Sequence, residues 1–92
     1  MSCYVDKLRP FGWRIRGRET ESCHLLADSL DELHEMAQRL GLKRAWFQDK
    51  RSGKHYDLVP SKRATAVALG AIELDDHGFI AKLKELRKVG AA

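Results

Sequence analysis

The pattern of apolar and polar positions along the chain predicts strands that alternate with helices. Strands are expected at residues 3–6, 13–16, 22–27, 55–59 and 71–74, and helices at 29–40, from 61 to about 69, and from Asp75 or Asp76 onward. Apolar and basic residues alternate in 13–16, as in a half-exposed strand, whereas 22–27 is mostly apolar and predicts a central strand. Residues 8–12 and 17–21 predict turns, 43–48 a short strand or packed turn, and 49–53 a loop.

The first helix has the clearest sequence signature. Ser29 and Glu32 have the spacing of a capping box, in which each satisfies a free N–H group at the helix start. Apolar residues recur at helical intervals between Leu30 and Leu40, and Gly41 suits the position after the helix end. Ser61 is the predicted cap of the second helix, and the third is predicted to bury a stripe of apolar side chains: Phe79, Ile80, Leu83 and Leu86.

This order of elements predicts an α/β fold. We expect a small single-domain sandwich, spanning residues 1–92, with a mixed sheet of about five strands and three helices. Apolar residues make up 43% and charged residues 33% of the chain, as in soluble globular domains. No apolar run approaches the roughly 18 residues of a membrane span, and the N-terminus lacks a signal-peptide pattern. We therefore expect no membrane partner, a cytoplasmic location, and reduced, buried thiols at Cys3 and Cys23.

The charge is distributed in blocks. Residues 7–18 carry basic and no acidic side chains, residues 19–35 carry acidic side chains and no Lys or Arg, and residues 39–63 are again mainly basic. The net charge is +4. Two basic blocks that merge in the fold would attract a phosphate-bearing ligand, and the alternative is a solvated basic face without a partner.

Histidines and aspartates at strand ends are the candidate catalytic residues. His55 and Asp57 are two apart in a strand and therefore point to the same face, while Tyr56 points to the other. His24 and His34 also come from elements near the core, so the candidate catalytic set is His24, His34, His55 and Asp57. Their spacing matches no compact metal motif, and three roles stay open: hydrogen-bonded structural histidines, ligand contacts, or metal ligands. No particular cofactor or metal is predicted.

A second group of residues predicts anion binding. A helix that begins near Ser61, Lys62 and Arg63 combines free N–H groups with a hydroxyl and two cations, as in phosphate sites; the alternative is a plain cap with solvated cations. Candidate ligand-binding residues are Arg14, Arg16, Tyr56, Ser61, Lys62 and Arg63. Trp13 and Trp46 stand among cations, where an aromatic ring either stacks a base or packs in the core.

The succession of short motifs resembles the domain-of-unknown-function family 4031, small proteins of bacteria and their phages. The motifs are Tyr4-Val5-Asp6, Gly12-Trp13-Arg14, His24-Leu25-x-Ala27-Asp28, Glu32-Leu33-His34, Trp46-Phe47-Gln48, His55-Tyr56-Asp57-Leu58, Ser61-Lys62-Arg63 and Leu69-Gly70-Ala71. The resemblance covers residues 4 to about 75. It implies a compact stand-alone domain and no particular activity. It also implies that a common site includes Asp6, His24, Asp28, His34, His55, Tyr56 and Asp57.

Three functions follow as hypotheses. The first is a binding protein for a nucleotide or nucleic acid, acting on host defence or host nucleic-acid processes. The second is a metal-dependent phosphodiesterase or nuclease that uses the His/Asp cluster, and the third is a protein–protein adaptor or inhibitor of a host enzyme. The sequence does not define the oligomeric state.

Overall fold

The computed structural model describes residues 2–15, 18–50 and 53–90, and of residues 11–15 and 18–19 it describes the backbone only. The elements are β1 (Cys3–Val5), β2 (Arg9–Ile15), β3 (Arg18–Ala27), α1 (Leu30–Arg39), a 3₁₀ turn (Arg44–Trp46), β4 (Gln48–Lys50), β5 (Gly53–Leu58), α2 (Pro60–Ala68), β6 (Ile72–Glu73) and α3 (Asp76–Lys88). The predicted α/β fold, with three helices and a mixed sheet, is confirmed, and the sheet has six strands.

The sheet is built around β3. Its strand order is β4-β5-β3-β1-β6, and β2 pairs with the first half of β3. The β1–β6 pair is parallel, whereas β3 is antiparallel to β1, β2 and β5, and β4 is antiparallel to β5. The central position predicted for residues 22–27 therefore holds.

Two apolar clusters cover the two faces of the sheet. On one face, Val5, Leu25 and Leu58 pack with buried residues of α1 and α2. On the other face, Tyr4 and Leu26 pack with α3. The sheet is thus a layer between helices, and side chains that alternate along β3 and β5 face different helices. None of the helices in the described part of the chain has the length and apolar character of a transmembrane span.

The first helix forms as predicted. Ser29 Oγ accepts a hydrogen bond from the Glu32 N–H at 3.2 Å, which is the first half of the capping box, and the Glu32 carboxylate accepts from the Ser29 hydroxyl. Gly41, with φ of 75°, follows the C-cap Leu40. Both cysteines are buried free thiols, as predicted, and burial raises the pKa of Cys3 to about 11 and that of Cys23 to about 12. Neither thiol is therefore activated as a nucleophile.

Several predicted boundaries were wrong. Residues 9–12 belong to β2, where a β-bulge between Pro10 and Trp13 accommodates the proline. Residues 18–21 belong to a strand rather than a turn, and residues 49–50 belong to a strand rather than a loop, since backbone pairing with β2 and β5 stabilises them. The second helix begins at Pro60 with Val59 as its cap, not Ser61. On α3, Ile80 is exposed instead of joining the apolar stripe.

Gly53, at the start of β5, is expected to lose stability when it is given a side chain. Its φ is 146°, and a Cβ atom there would lie 2.8 Å from Leu83 Cδ1 on α3. Gly70, with φ of 107° and open space around it, is the matched control for backbone strain alone. We expect Gly70→Ala to lower the free energy of unfolding by about 1–2 kcal/mol and Gly53→Ala to lower it by about 2–4 kcal/mol, because Leu83 must also move. Urea denaturation measures both, and equal losses would show that Leu83 yields without cost.

Candidate metal centre

Three predicted site residues converge on the face of the sheet that α3 covers. His55 and Asp57 project from β5 to this face, as their spacing predicted, and His24 on β3 is the direct antiparallel partner of Asp57. One potential ligand atom from each residue lies within 4.8 Å of those of the other two. Strand pairing therefore brings His24 next to His55 and Asp57, although His24 precedes His55 by 31 positions in the sequence.

His55 is held so that one ring nitrogen faces Asp57. Its Nδ1 lies 3.1 Å from the carbonyl oxygen of Gly53, and its Nε2 lies 3.4 Å from Asp57 Oδ1. A carbonyl oxygen can only accept, so Nδ1 carries the proton and donates it. In neutral His55, Nε2 therefore presents a lone pair toward the carboxylate.

Asp57 is fixed from its other side by Gln48 on the edge strand β4. The Gln48 amide donates a hydrogen bond to Asp57 Oδ2, which leaves Oδ1 facing His55. Burial alone would raise the pKa of Asp57, but the hydrogen bond and positive charge of a protonated His55, with the Gln48 amide, lower it below its ordinary value. The carboxylate is therefore ionised at neutral pH, as metal binding requires.

His24 is oriented by Asp6, which follows β1 directly. The Asp6 carboxylate accepts the His24 backbone N–H at 2.6 Å and lies 2.9 Å from His24 Nδ1. This bond raises the pKa of His24, and burial opposes the shift. The His24 ring meets the His55 ring edge-on, with 4.9 Å between centroids, and stacks on Phe79 of α3 at 5.3 Å. A buried carboxylate behind one imidazole is the arrangement by which metal-binding histidines are held.

Arg63 has a structural position at the end of the sheet. Its Nε donates to the Asp6 carbonyl oxygen at 2.8 Å, and Nη1 lies 2.9 Å from Glu73 Oε1. The guanidinium thus joins α2 to the ends of β1 and β6. Of the predicted anion-binding trio, Ser61 is exposed, and Lys62 is half-buried beside a cavity that Asp57 also lines.

His34 and Tyr56 lie on the opposite face of the sheet. His34 Nδ1 is 2.9 Å from the Tyr56 hydroxyl, and its ring meets Phe47 edge-on at 4.7 Å. Burial, followed by the nearby Arg44, lowers the pKa of His34. Tyr56 is 1% exposed, so its ring has no free face for a ligand. The structure therefore separates these two residues from the cluster.

Asp28 does not join the cluster. Asp28 accepts hydrogen bonds from the Ser2 backbone N–H at 2.7 Å and from the Tyr4 hydroxyl at 2.9 Å. The backbone of Arg14 lies in β2, but its side chain is outside the described part of the structure. Arg16 lies outside the described residues altogether.

Sequence reasoning missed Gln48 and Gly53, which position the cluster. Gln48 is the register partner of His55. Residues 48–50 pair at an exposed edge of the sheet, however, and their sequence lacks the alternation of apolar and polar residues that indicates a strand with one buried face. Gly53 contributes only its carbonyl oxygen, which side-chain patterns cannot show. Predicting residues 48–50 as a strand paired with β5 would have placed Gln48 near His55, because residues opposite each other on paired strands share a face.

Comparison with known families identifies the chain. The model of the protein family of unknown function DUF4031 matches residues 3–86, so the chain belongs to this family, as the motifs had indicated. Neither a curated protein nor a solved structure matches the chain.

Proposed function

We propose that the protein binds a divalent transition-metal ion through His24, His55 and Asp57 and hydrolyses a phosphate ester there. One observation carries the proposal: Nε2 of His55 faces Asp57 Oδ1 at 3.4 Å while Nδ1 donates to Gly53. Two hydrogen-bond acceptors at this distance repel each other unless a cation lies between them. That cation is either a proton or a metal ion.

The surroundings favour a metal ion over a proton. A proton shared by His55 and Asp57 makes no use of His24, whose ligand atom also lies within 4.8 Å of both. Two ligands on a tetrahedral zinc ion, each about 2.0–2.1 Å from it, are separated by about 3.4 Å. Asp6 behind His24 and the Gly53 carbonyl behind His55 both direct the Nδ1 proton away from the cluster.

The donor set indicates which metals fit. Two imidazoles and one carboxylate suit Zn²⁺, Mn²⁺, Fe²⁺ or Co²⁺ better than Mg²⁺ or Ca²⁺, which prefer oxygen ligands. Three protein ligands also leave a coordination position for water or substrate. Such an ion supplies a water of lowered pKa and polarises a phosphoryl oxygen.

The choice of a phosphate ester depends on Lys62. Lys62 and Asp57 line one cavity, so a cation of the protein shares this cavity with one residue of the cluster and would attract negative charge into it. In phosphodiester hydrolysis the water oxygen bonds to phosphorus, the bond from phosphorus to the leaving oxygen breaks, and a water proton ends on the leaving oxygen. Lys62 would bind the phosphate oxygens throughout.

A second candidate is a binding protein that holds a phosphate-bearing ligand without hydrolysing it. The same position of Lys62 beside the cavity favours it, and it requires no metal ion. Arg63 contributes less than the sequence suggested, because Asp6 and Glu73 engage its guanidinium. The adaptor hypothesis stays a prediction from sequence.

Metal titration of untagged, chelator-treated protein tests the proposal. We expect about one Zn²⁺, Mn²⁺ or Co²⁺ ion to bind per chain in calorimetry, and bound Co²⁺ to give visible absorption bands typical of nitrogen and oxygen ligands. The loaded protein should hydrolyse bis(p-nitrophenyl) phosphate, and His77→Ala, which removes an exposed histidine of α3, should leave binding and turnover unchanged.

The outcomes separate the two candidates. Absence of metal binding overturns the proposed centre. Metal binding without turnover on phosphodiesters and phosphomonoesters overturns the hydrolase. Equal binding of a phosphate-bearing ligand with and without chelator supports the second candidate instead.

A further inference from the structure

The cavity that Asp57 lines adjoins the cluster, because Asp57 belongs to both. Its volume is about 560 Å³, within the roughly 300–1,000 Å³ of small-molecule sites. Leu42, Trp46 and Phe47 form an apolar side, and Gln48, Asp57 and Lys62 add polar groups. A ligand for this cavity therefore has an apolar part and an anionic part.

Trp46 indicates the nature of the apolar part. It is 53% exposed and is the most exposed aromatic side chain in the described part of the chain. The ring of Phe47, in contrast, already contacts two side chains. The Arg44 guanidinium carbon lies 5.0 Å from its centroid, and the centroid of the His34 ring lies 4.7 Å away. An exposed indole beside an apolar wall provides a flat surface on which a planar ring can stack.

Lys62 indicates the anionic part. Its side chain has no hydrogen-bond or ion-pair partner among residues 2–10, 20–50 and 53–90, in contrast to Arg63. Its Nζ lies 3.7 Å from the point where a Cβ atom on Gly41 would stand, so the ammonium group packs over the chain that follows α1. A second cation, Lys43, stands over one face of the Trp46 ring, 5.6 Å from its centroid, and is not among the residues that line the cavity. The cavity thus combines an exposed ring with one cation, and Asp57 belongs both to its lining and to the cluster.

We infer that this cavity binds a single nucleotide, with its base on Trp46 and its phosphate between Lys62 and the cluster of His24, His55 and Asp57. The orientation of the nucleotide, with its phosphate toward the cluster, rests on the proposed function. One nucleotide is favoured over a strand because strand binding uses successive aromatic rings along a basic groove, whereas Trp46 is the one exposed ring that this cavity presents.

Calorimetry of metal-loaded protein with nucleoside 5′-monophosphates tests this inference. The matching nucleosides and inorganic phosphate serve as part-ligands, and we expect each to bind at least tenfold more weakly than the nucleotide. Trp46→Ala should lower nucleotide affinity about 5- to 100-fold, the range of one stacking contact, and leave metal affinity unchanged. Lys62→Gln should lower affinity for nucleotide and for phosphate but not for the nucleoside, and Ile80→Ala, an exposed apolar residue outside the cavity, is the control.

Three results would overturn the inference. The first is a nucleotide that binds no more tightly than inorganic phosphate, and the second is unchanged affinity in Trp46→Ala. The third is tighter binding of a single-stranded oligonucleotide, with a log–log salt slope of about −0.7 per phosphate contact. Titration of chelated protein separates this inference from the proposed function, since nucleotide binding without metal would support the cavity while the metal centre failed.

Discussion

His55→Ala is expected to lower the affinity for Zn²⁺ or Co²⁺ by at least about 100-fold, because loss of a residue that only supports a ligand already costs 10–100-fold. His55 contributes Nε2, and its removal leaves His24 and Asp57 as a two-ligand site. Turnover of a phosphodiester should fall with metal occupancy. Calorimetry at equal protein concentration measures the first effect, and the cobalt spectrum reports the ligand that is lost.

The control for this prediction is His77→Ala, since His77 is exposed on α3. His55 is 8% exposed, so circular dichroism and thermal unfolding must accompany the binding data. If His55→Ala fails to fold, Asp57→Asn removes another ligand with almost no change of shape. Wild-type metal affinity in either folded variant would show that the cation between His55 and Asp57 is a proton.

Asp6→Asn is expected to lower metal affinity about 10- to 100-fold although Asp6 is not itself a ligand. Asp6 accepts the proton on His24 Nδ1, which makes Nε2 the nitrogen that can bind an ion. An asparagine amide presents a donor on one side, and this favours the tautomer in which the proton moves to Nε2. Asn keeps the acceptor for the His24 backbone N–H, so the fold should persist.

Asp28→Asn is the matched control for Asp6→Asn. Asp28 also follows a strand, but it accepts its hydrogen bonds from Ser2 and Tyr4, whereas Asp6 accepts from His24. A positioning role for Asp6 predicts that calorimetry detects a loss of metal affinity in Asp6→Asn alone. Equal losses in the two variants, in proportion to lost stability, would show that Asp6 acts through the fold and not through His24.

The local sequence pattern was sufficient to predict a contact or a shared face wherever the two residues lie close together in the sequence. The hydrogen bond from the Glu32 N–H to Ser29 Oγ closes within one helical turn, and the shared face of His55 and Asp57 follows from the two-residue period of a strand. The boundaries of β2 and β4 were harder to predict, since backbone pairing stabilises these strands and leaves little trace in the hydrophobic pattern. The start of α2 was displaced for a related reason, because Pro60 occupies the first helical position and no side chain caps the helix.

The candidate site shows the same division. The sequence by itself determined the α/β class, the first helix with its cap, the buried thiols and the pair formed by His55 and Asp57. Only the tertiary structure decided that His24 joins this pair and that His34 does not, because strand register places His24 opposite Asp57 and the sheet stands between the pair and His34. Long-range pairing also placed Asp6 behind His24 and Gln48 behind Asp57. Such contacts depend on which strands are neighbours, and a linear pattern of polarity does not specify neighbours.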